Sequence, residues 1–269
     1  MEVSETRDRA AIERFLRHHT AVHIYALADL DDFFWPDTTW YAASVEGEMR
    51  ALCLVLATLD PPIVYALDAS GAEPLRDLLR HLSPGLPDRF FLNLSLPLED
   101  LFRGRGEFRT HGVHHKMLLE DRSPIEKLSG SGVEPLAMRD LPELQRFFRE
   151  AAYAPGEREA RFFEPYMLET GPYFGVREAG ELISVGGVHA HSLQQRVAAV
   201  GNLATRPDRR RRGWGRAIAA AVCRELAGSV DQIGLNVEAS NLGAIRCYEA
   251  LGFRPVCSYL EATLSGWRS

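Results

Sequence analysis

The residues best equipped for chemistry lie between Leu203 and Arg216, in the stretch LATRPDRRRRGWGR. An apolar strand there runs into an arginine-rich turn and then into the first turn of a helix. The leading N–H groups of a helix have no intrahelical partners and point one way. With the helix dipole they make a socket for a phosphate-bearing ligand. Gly213 and Gly215 remove side chains where such a ligand must approach the backbone. Arg206, Arg209, Arg210, Arg211, Arg212 and Arg216 surround the turn with cationic forks suited to phosphate. An arginine run alone reads as a solvated basic turn, but the glycines and the strand-to-helix setting reverse that preference. Nothing aromatic or basic elsewhere extends the patch toward a nucleic-acid surface.

A second motif lies downstream, NVEASNLGAIRCYEALGF, from Asn236 to Phe253. Asn241 and Tyr248 are two helical turns apart, on one face and roughly 10 Å from each other along the axis. Ala244 lies between them and leaves room for an extended ligand arm. Leu251-Gly252-Phe253 reads as a helix ending in a glycine cap and passing into a strand.

Together the two motifs resemble the acyl-CoA-binding core of the GNAT superfamily of N-acyltransferases. PDRRRRGWGRAI resembles the phosphate-binding loop, and the Asn236–Phe253 stretch resembles the second signature. The likeness is detailed from Pro172 to Leu264 and holds in pattern from Val133. The first half carries neither motif and resembles the degenerate, non-binding GNAT-like half of tandem members. The resemblance implies that backbone N–H groups from Arg211 through Gly213, Trp214 and Gly215 to Arg216 hold the CoA pyrophosphate, with Arg210 beside them. Backbone groups of Leu203 and Thr205 would pair with the pantetheine arm as with a short extra strand. Asn241 and Ala244 would line that arm, and Tyr248 would lie near the thioester sulfur.

Attack of a neutral amine on a thioester needs a base or water relay, an oxyanion donor and an acid for the departing thiolate. Tyr248 suits the acid, and a backbone N–H near Val188 or His189 suits the oxyanion donor. His189 and His191, two apart on one strand and so on one face, are candidate bases. Glu238 is a third. The function implied is N-acetyl transfer from acetyl-CoA to a primary amine of a small molecule or peptide. Transfer is direct, since no cysteine or serine is placed as a nucleophile. Two alternatives are a larger acyl donor, as in glycine-acyltransferase-like relatives, and a CoA-binding regulatory protein without catalysis.

These residues must be positioned by a chain of 269 residues, 46% hydrophobic and 25% charged, which suits a globular protein with a substantial core. A net charge of −6 argues against nucleic-acid or membrane-surface partners. Four cysteines without a CxxC pair predict reduced, buried thiols in a cytoplasmic protein. The charged N-terminus has no signal-peptide core, and no apolar run approaches a membrane span. His111, His114 and His115 resemble a metal cluster, but on a strand His114 faces away from the other two, and no metal site is expected.

The apolar spacing predicts helices over Ser4 to His19, Val22 to Leu30 and Glu73 to Leu82, with a short helical turn around Glu99. Strands are predicted at Trp40 to Val45, Arg50 to Leu56, Ile63 to Leu67, Phe90 to Ser95 and Glu107 to Leu119. Ser123 to Val133 reads as a linker. Beyond it the pattern restarts: a strand at Val133 to Met138, helices at Leu141 to Ala152 and Glu159 to Glu169, and a hairpin over Phe174 to His191. A strand at Val197 to Thr205, a helix at Gly213 to Ala227, a strand at Ile233 to Ala239, a helix at Leu242 to Leu251 and a strand at Phe253 to Leu264 complete it. The fold class expected is α+β, two GNAT-like domains, each a mixed, mostly antiparallel sheet flanked by helices. The domains are placed at residues 1–122 and 132–269, in a monomer or homodimer. The resemblance implies that Phe162, Phe163, Tyr166 and Tyr173 flank the acceptor side.

Overall fold

The computed structural model describes residues 1–69, 72–128, 130, 132–152 and 163–267. The elements begin with β1 (Glu2–Thr6), α1 (Arg9–Arg17), α2 (Ile24–Ala28), β2 (Thr38–Val45) and β3 (Glu48–Leu56). Next come β4 (Ile63–Ala66), α3 (Ala72–Leu82), β5 (Phe90–Ser95), β6 (Glu107–Leu119) and α4 (Ser123–Glu126). The chain continues as β7 (Glu134–Leu136), α5 (Leu141–Glu150), α6 (Pro165–Thr170), β8 (Tyr173–Glu178) and β9 (Glu181–Ser192). It closes with β10 (Val197–Thr205), α7 (Trp214–Leu226), β11 (Gln232–Glu238), α8 (Leu242–Glu249) and β12 (Phe253–Ser265).

Two compact units are present, and they interleave along the chain rather than dividing it once. The first comprises Met1–Lys116, Val237–Asn241 and Pro255–Ser269, so the last strand packs with the N-terminal half. Its strand order is β1-β2-β3-β4-β5-β12-β6, antiparallel from β1 to β4 and parallel between β4 and β5. The leucines of α3 at helical spacing, Leu75, Leu78, Leu79 and Leu82, share one buried core cluster with Phe90, Leu92, Leu94, Leu260 and Leu264. The second unit comprises Met117–Asn236 and Leu242–Arg254. Its strand order is β7-β8-β9-β10-β11, antiparallel except for the parallel pair β10–β11, with α7 crossing between those two. Both units are mixed, mostly antiparallel α+β sheets, as the apolar pattern predicts.

Three local predictions differ from the structure. The N-terminal helix does not begin at Ser4: Glu2–Thr6 is a strand paired with β2, Val3 opposite Ala43. The helix starts at Arg9 because Asp8 caps it, its Oδ1 accepting from the Ala11 N–H at 2.9 Å. The expected linker contains α4, held by Arg224, which donates to the carbonyls of Ile125 at 2.9 Å and Leu128 at 3.2 Å. Helix α6 starts at Pro165, and residues 159–162, Phe162 among them, lie outside the described residues.

The four cysteines are free thiols, Cys53 and Cys223 buried, Cys247 and Cys257 half-buried. Lys116 is buried with its Nζ between the rings of Tyr25 and Tyr259, at 4.9 and 5.0 Å, where the ring faces partly replace water. At the end of α2, Asp29 is buried, and its Oδ2 has no hydrogen-bond partner among the described residues. Burial, with a smaller contribution from Asp31, pushes this carboxyl up to about 8.

A folded value above the unfolded one means that the native state holds a proton the unfolded chain releases. That stabilisation is complete below an unfolded pKa of 3.8 and is lost as pH rises through about 8. Asp29→Asn, which does not titrate, is therefore expected to raise the urea midpoint relative to the unmodified protein at about pH 9. At about pH 4 the two should be nearly equal. Parallel stability profiles across that window would contradict this assignment.

Candidate active site

The turn between β10 and α7 has the backbone of an anion socket. Gly213 takes φ +84° at the N-cap of α7, and Arg211 takes φ +63° two residues earlier. No side chain caps the helix, and its first backbone bond runs from the Ala217 N–H to the Gly213 carbonyl at 3.0 Å. The N–H groups of Trp214, Gly215 and Arg216 therefore have no helical acceptor and point out of the N-terminus. Gly215 is next to β10: a Cβ on it would stand 3.9 Å from Thr205 Oγ1.

Several arginines of the run are engaged by carboxylates or carbonyls of the protein itself. Arg206 pairs with Glu181 at 3.2 Å and Asp208 at 3.3 Å. Arg209 pairs with Glu178 and, at 2.6 Å, with Asp208. Arg210 braces the turn, its Nε donating to the Thr205 carbonyl at 3.1 Å and its Nη2 to that of Ala152 at 3.4 Å. Arg212 reaches Glu178 at 3.6 Å from an exposed position. Arg211 and Arg216 are exposed, and Arg216 lies near enough to Cys247 of α8 to favour its thiolate. The acidic β8–β9 hairpin thus takes up much of the charge of the run.

Strand β10 leaves β11 as it approaches this turn. Their ladder runs from Val197–Gln232 to Val200–Leu235 and ends there. Gly201 to Thr205 continue beyond it, with an irregularity in the β9 register between Gly201 and Ala204 that contains Leu203. Leu203 and Thr205 are both half-buried along this splayed rim, and Thr205 Oγ1 is 2.7 Å from Ser184 Oγ. The structure therefore brings Leu203, Thr205 and Gly213 to Arg216 together.

In α8, Ala244 and Tyr248 are half-buried. The Tyr248 ring meets Phe253 edge-on at 6.0 Å. Desolvation, aided by the nearby Cys247 and Cys223, pushes its phenol up, so it stays protonated through neutrality. Asn241 precedes the helix, its N–H donating to the Glu238 carbonyl at 2.9 Å. Glu238 is exposed and accepts from the Ser240 hydroxyl at 2.7 Å. Both residues are grouped with the first unit, whereas α8 belongs to the second.

The two histidines of β9 have different surroundings, because a bulge interrupts the alternation that spacing alone would give. Ala190 pairs with Ala199 and Val188 with Val200, which leaves His189 as the extra residue. His191 Nδ1 is 2.7 Å from the Thr170 carbonyl, an acceptor only, so Nδ1 carries the proton. Its Nε2 is buried and has no partner among the described residues. His189 Nε2 is 2.7 Å from Asn202 Oδ1. Asn202 is a residue that sequence reasoning passed over; the signal available was an Asn in an apolar strand run, VGNLAT.

No group of three or more His, Cys, Asp or Glu that could hold a metal occurs among the described residues. In the THGVHHK strand each histidine has its own partner: Thr263 for His111, Glu261 for His114 and Ser258 for His115.

Residues 138–253 match the acetyltransferase (GNAT) family. No curated protein matches the chain. Among solved structures, a Drosophila protein aligns with a TM-score of 0.62 at 16% identity, over 96% of this chain and 88% of that one. An acetyltransferase of the GNAT family from Colwellia psychrerythraea aligns with a TM-score of 0.56 at 13% identity, over 98% of this chain and all of that one. A tandem GNAT protein from the clavulanic acid biosynthesis pathway aligns over the whole of both chains, with a TM-score of 0.53 at 12% identity. At these identities the likeness is one of fold.

Proposed function

We propose that the protein transfers an acetyl group from acetyl-CoA to a primary amine of a small molecule or peptide, with residues 138–253, which match the acetyltransferase (GNAT) family, as the catalytic part of a tandem arrangement. The observation that carries this reading is the uncapped N-terminus of α7, with Gly213 at φ +84°, set beside the strand rim that β10 exposes on leaving β11. Unshared N–H groups and an open glycine backbone fit a pyrophosphate, and a strand rim beyond the end of the β11 ladder fits an amide-bearing arm.

In this reading the N–H groups of Arg211 to Arg216 hold the pyrophosphate, with Arg211 and Arg216 as the outward-facing cations. Leu203 and Thr205 offer backbone groups to the arm, and Asn241 and Ala244 line it. Acyl-CoA, when bound, supplies an acyl carbon activated as a thioester. Tyr248 donates its phenolic proton to the departing sulfur, a backbone N–H near Val188 or His189 stabilises the developing oxyanion, and a base takes the amine proton. His189, His191 and Glu238 are the candidates for that base. Transfer is direct: burial pushes the Cys223 thiol up to about 12, and Cys247 is likewise raised, so neither supplies a thiolate nucleophile. The acidic net charge of −6 suits a cytoplasmic enzyme acting apart from nucleic acids and membranes, as a monomer or homodimer.

Gly215→Glu tests the socket. The position has room for a side chain, and a carboxylate in the first turn favours the helix while it repels a phosphate. CoA affinity by calorimetry should fall by about tenfold or more, with thermal stability unchanged or slightly raised. Unaltered CoA binding in this variant would sink the placement of the pyrophosphate. Thiol release over a panel of amines, with acetyl-CoA and longer acyl-CoA donors, tests the reaction itself. CoA binding without turnover on any amine would favour a non-catalytic protein instead.

A further inference from the structure

The tip of the β8–β9 hairpin sets two carboxylates against the arginine run. Ala179 and Gly180 take φ +52° and +86°, a two-residue turn across which Glu178 and Glu181 stand directly opposite each other. Like charges so placed weaken a hairpin. The run offsets this: Arg206 reaches Glu181 at 3.2 Å, and Arg209 reaches Glu178. The Arg206 N–H also donates to the Ile183 carbonyl at 2.9 Å, which pins the start of the turn to β9.

These pairs are unequal. Arg209 is 29% exposed and held by two carboxylates, Glu178 through Nε and Asp208 through Nη1 at 2.6 Å. Arg212 adjoins Gly213, the N-cap of α7, and is 50% exposed. Its ion pair among the described residues runs from Nη1 to Glu178 Oε1 at 3.6 Å, longer than a hydrogen bond. A guanidinium fork donates to a phosphate as it does to a carboxylate, and a phosphate carries the greater charge. Arg212 can therefore change partners at little cost, while Glu178 keeps Arg209 and its charge stays compensated.

The geometry points to Glu178 as the residue that sets the affinity for the acyl donor: it holds Arg212 until a ligand phosphate takes its place. This rests on the reading of the turn as the pyrophosphate socket. Donor binding then exchanges a carboxylate for a phosphate on one arginine. Free CoA carries the same phosphates, so recapture of Arg212 by Glu178 favours release of the product as well.

Calorimetry with CoA on the intact protein tests this. Glu178→Gln keeps an amide oxygen for Arg209 and removes the charge, so CoA affinity should rise about threefold or more at ~50 mM salt. The gain should shrink at ~0.5 M salt, where the ion pair is screened. Glu181→Gln removes the same charge from the same hairpin, but its partner is Arg206, and the gain should stay below about 1.5-fold. Arg212→Ala should weaken CoA about fivefold or more, and adding Glu178→Gln to it should bring back less than about 1.5-fold. An affinity unchanged or lowered in Glu178→Gln would overturn the proposal. So would an equal gain in Glu181→Gln, or the full gain in the Arg212→Ala background. Unmodified protein that binds no CoA defeats the socket reading itself, a result distinct from these.

Discussion

Tyr248→Phe is expected to lower kcat by about 10²–10⁴-fold while leaving CoA affinity within about twofold. The substitution removes one oxygen and keeps the ring, so the edge contact with Phe253 at 6.0 Å survives and the fold should be undisturbed. In the proposed mechanism, what is lost is the proton for the departing thiolate. Because burial and the neighbouring thiols raise the phenol, it remains an acid throughout neutrality, and no alkaline limb from this residue should appear near pH 7. Single-turnover measurement separates the effect on chemistry from one on binding. A variant that turns over at the unmodified rate would show that the sulfur leaves without help from Tyr248.

The largest effect on stability should come from Gly252→Ala, with a loss of about 3 kcal/mol or more in urea unfolding. Two causes act together. Gly252 takes φ +98°, where a side chain is strained, and a Cβ would stand 1.9 Å from the Asp121 carbonyl oxygen. The obstacle is backbone and is fixed, because the Gly252 carbonyl accepts from the N–H groups of Glu120 at 3.1 Å and Asp121 at 3.2 Å. Helix α8 ends just before this glycine, so the strain also reaches the element that carries Tyr248. Gly228→Ala is the matched comparison: a Cβ there meets nothing within 4 Å, and its stability should change by no more than about 0.5 kcal/mol. Equal stabilities for the two variants would refute the steric account.

How far the structure can be read from the chain depends on the range of the contacts involved. Strands β5, β6 and β10 fall where apolar and β-branched runs between turn residues place them, at Phe90–Ser95, Glu107–Leu119 and Val197–Thr205. Helix α7 begins beside Gly213 because the features that start it lie within the turn itself. The N-terminal strand depends on distant residues. Residues Ser4 to Thr6 carry helix-compatible spacing, and only pairing with Tyr41 and its neighbours, far along the chain, makes them a strand.

The arginine run shows the same limit. Its charge is plain in the residues, but Glu178 and Glu181, which take up Arg209, Arg206 and part of Arg212, come from a hairpin about thirty residues earlier.

By itself the sequence determined the glycine turn that starts α7 and the helix that bears Tyr248, because glycine conformations, helix termini and helical spacing are properties of neighbouring residues. The tertiary structure alone decided how β10 parts from β11, that the last strand packs with the N-terminal half, and that His189, Asn202 and Tyr173 meet. The last of these turns on partners 13 and 29 residues apart, His189 with Asn202 and Asn202 with Tyr173. Such partners meet only through strand register and a bulge, and register is a cooperative outcome of the whole sheet rather than of any one segment.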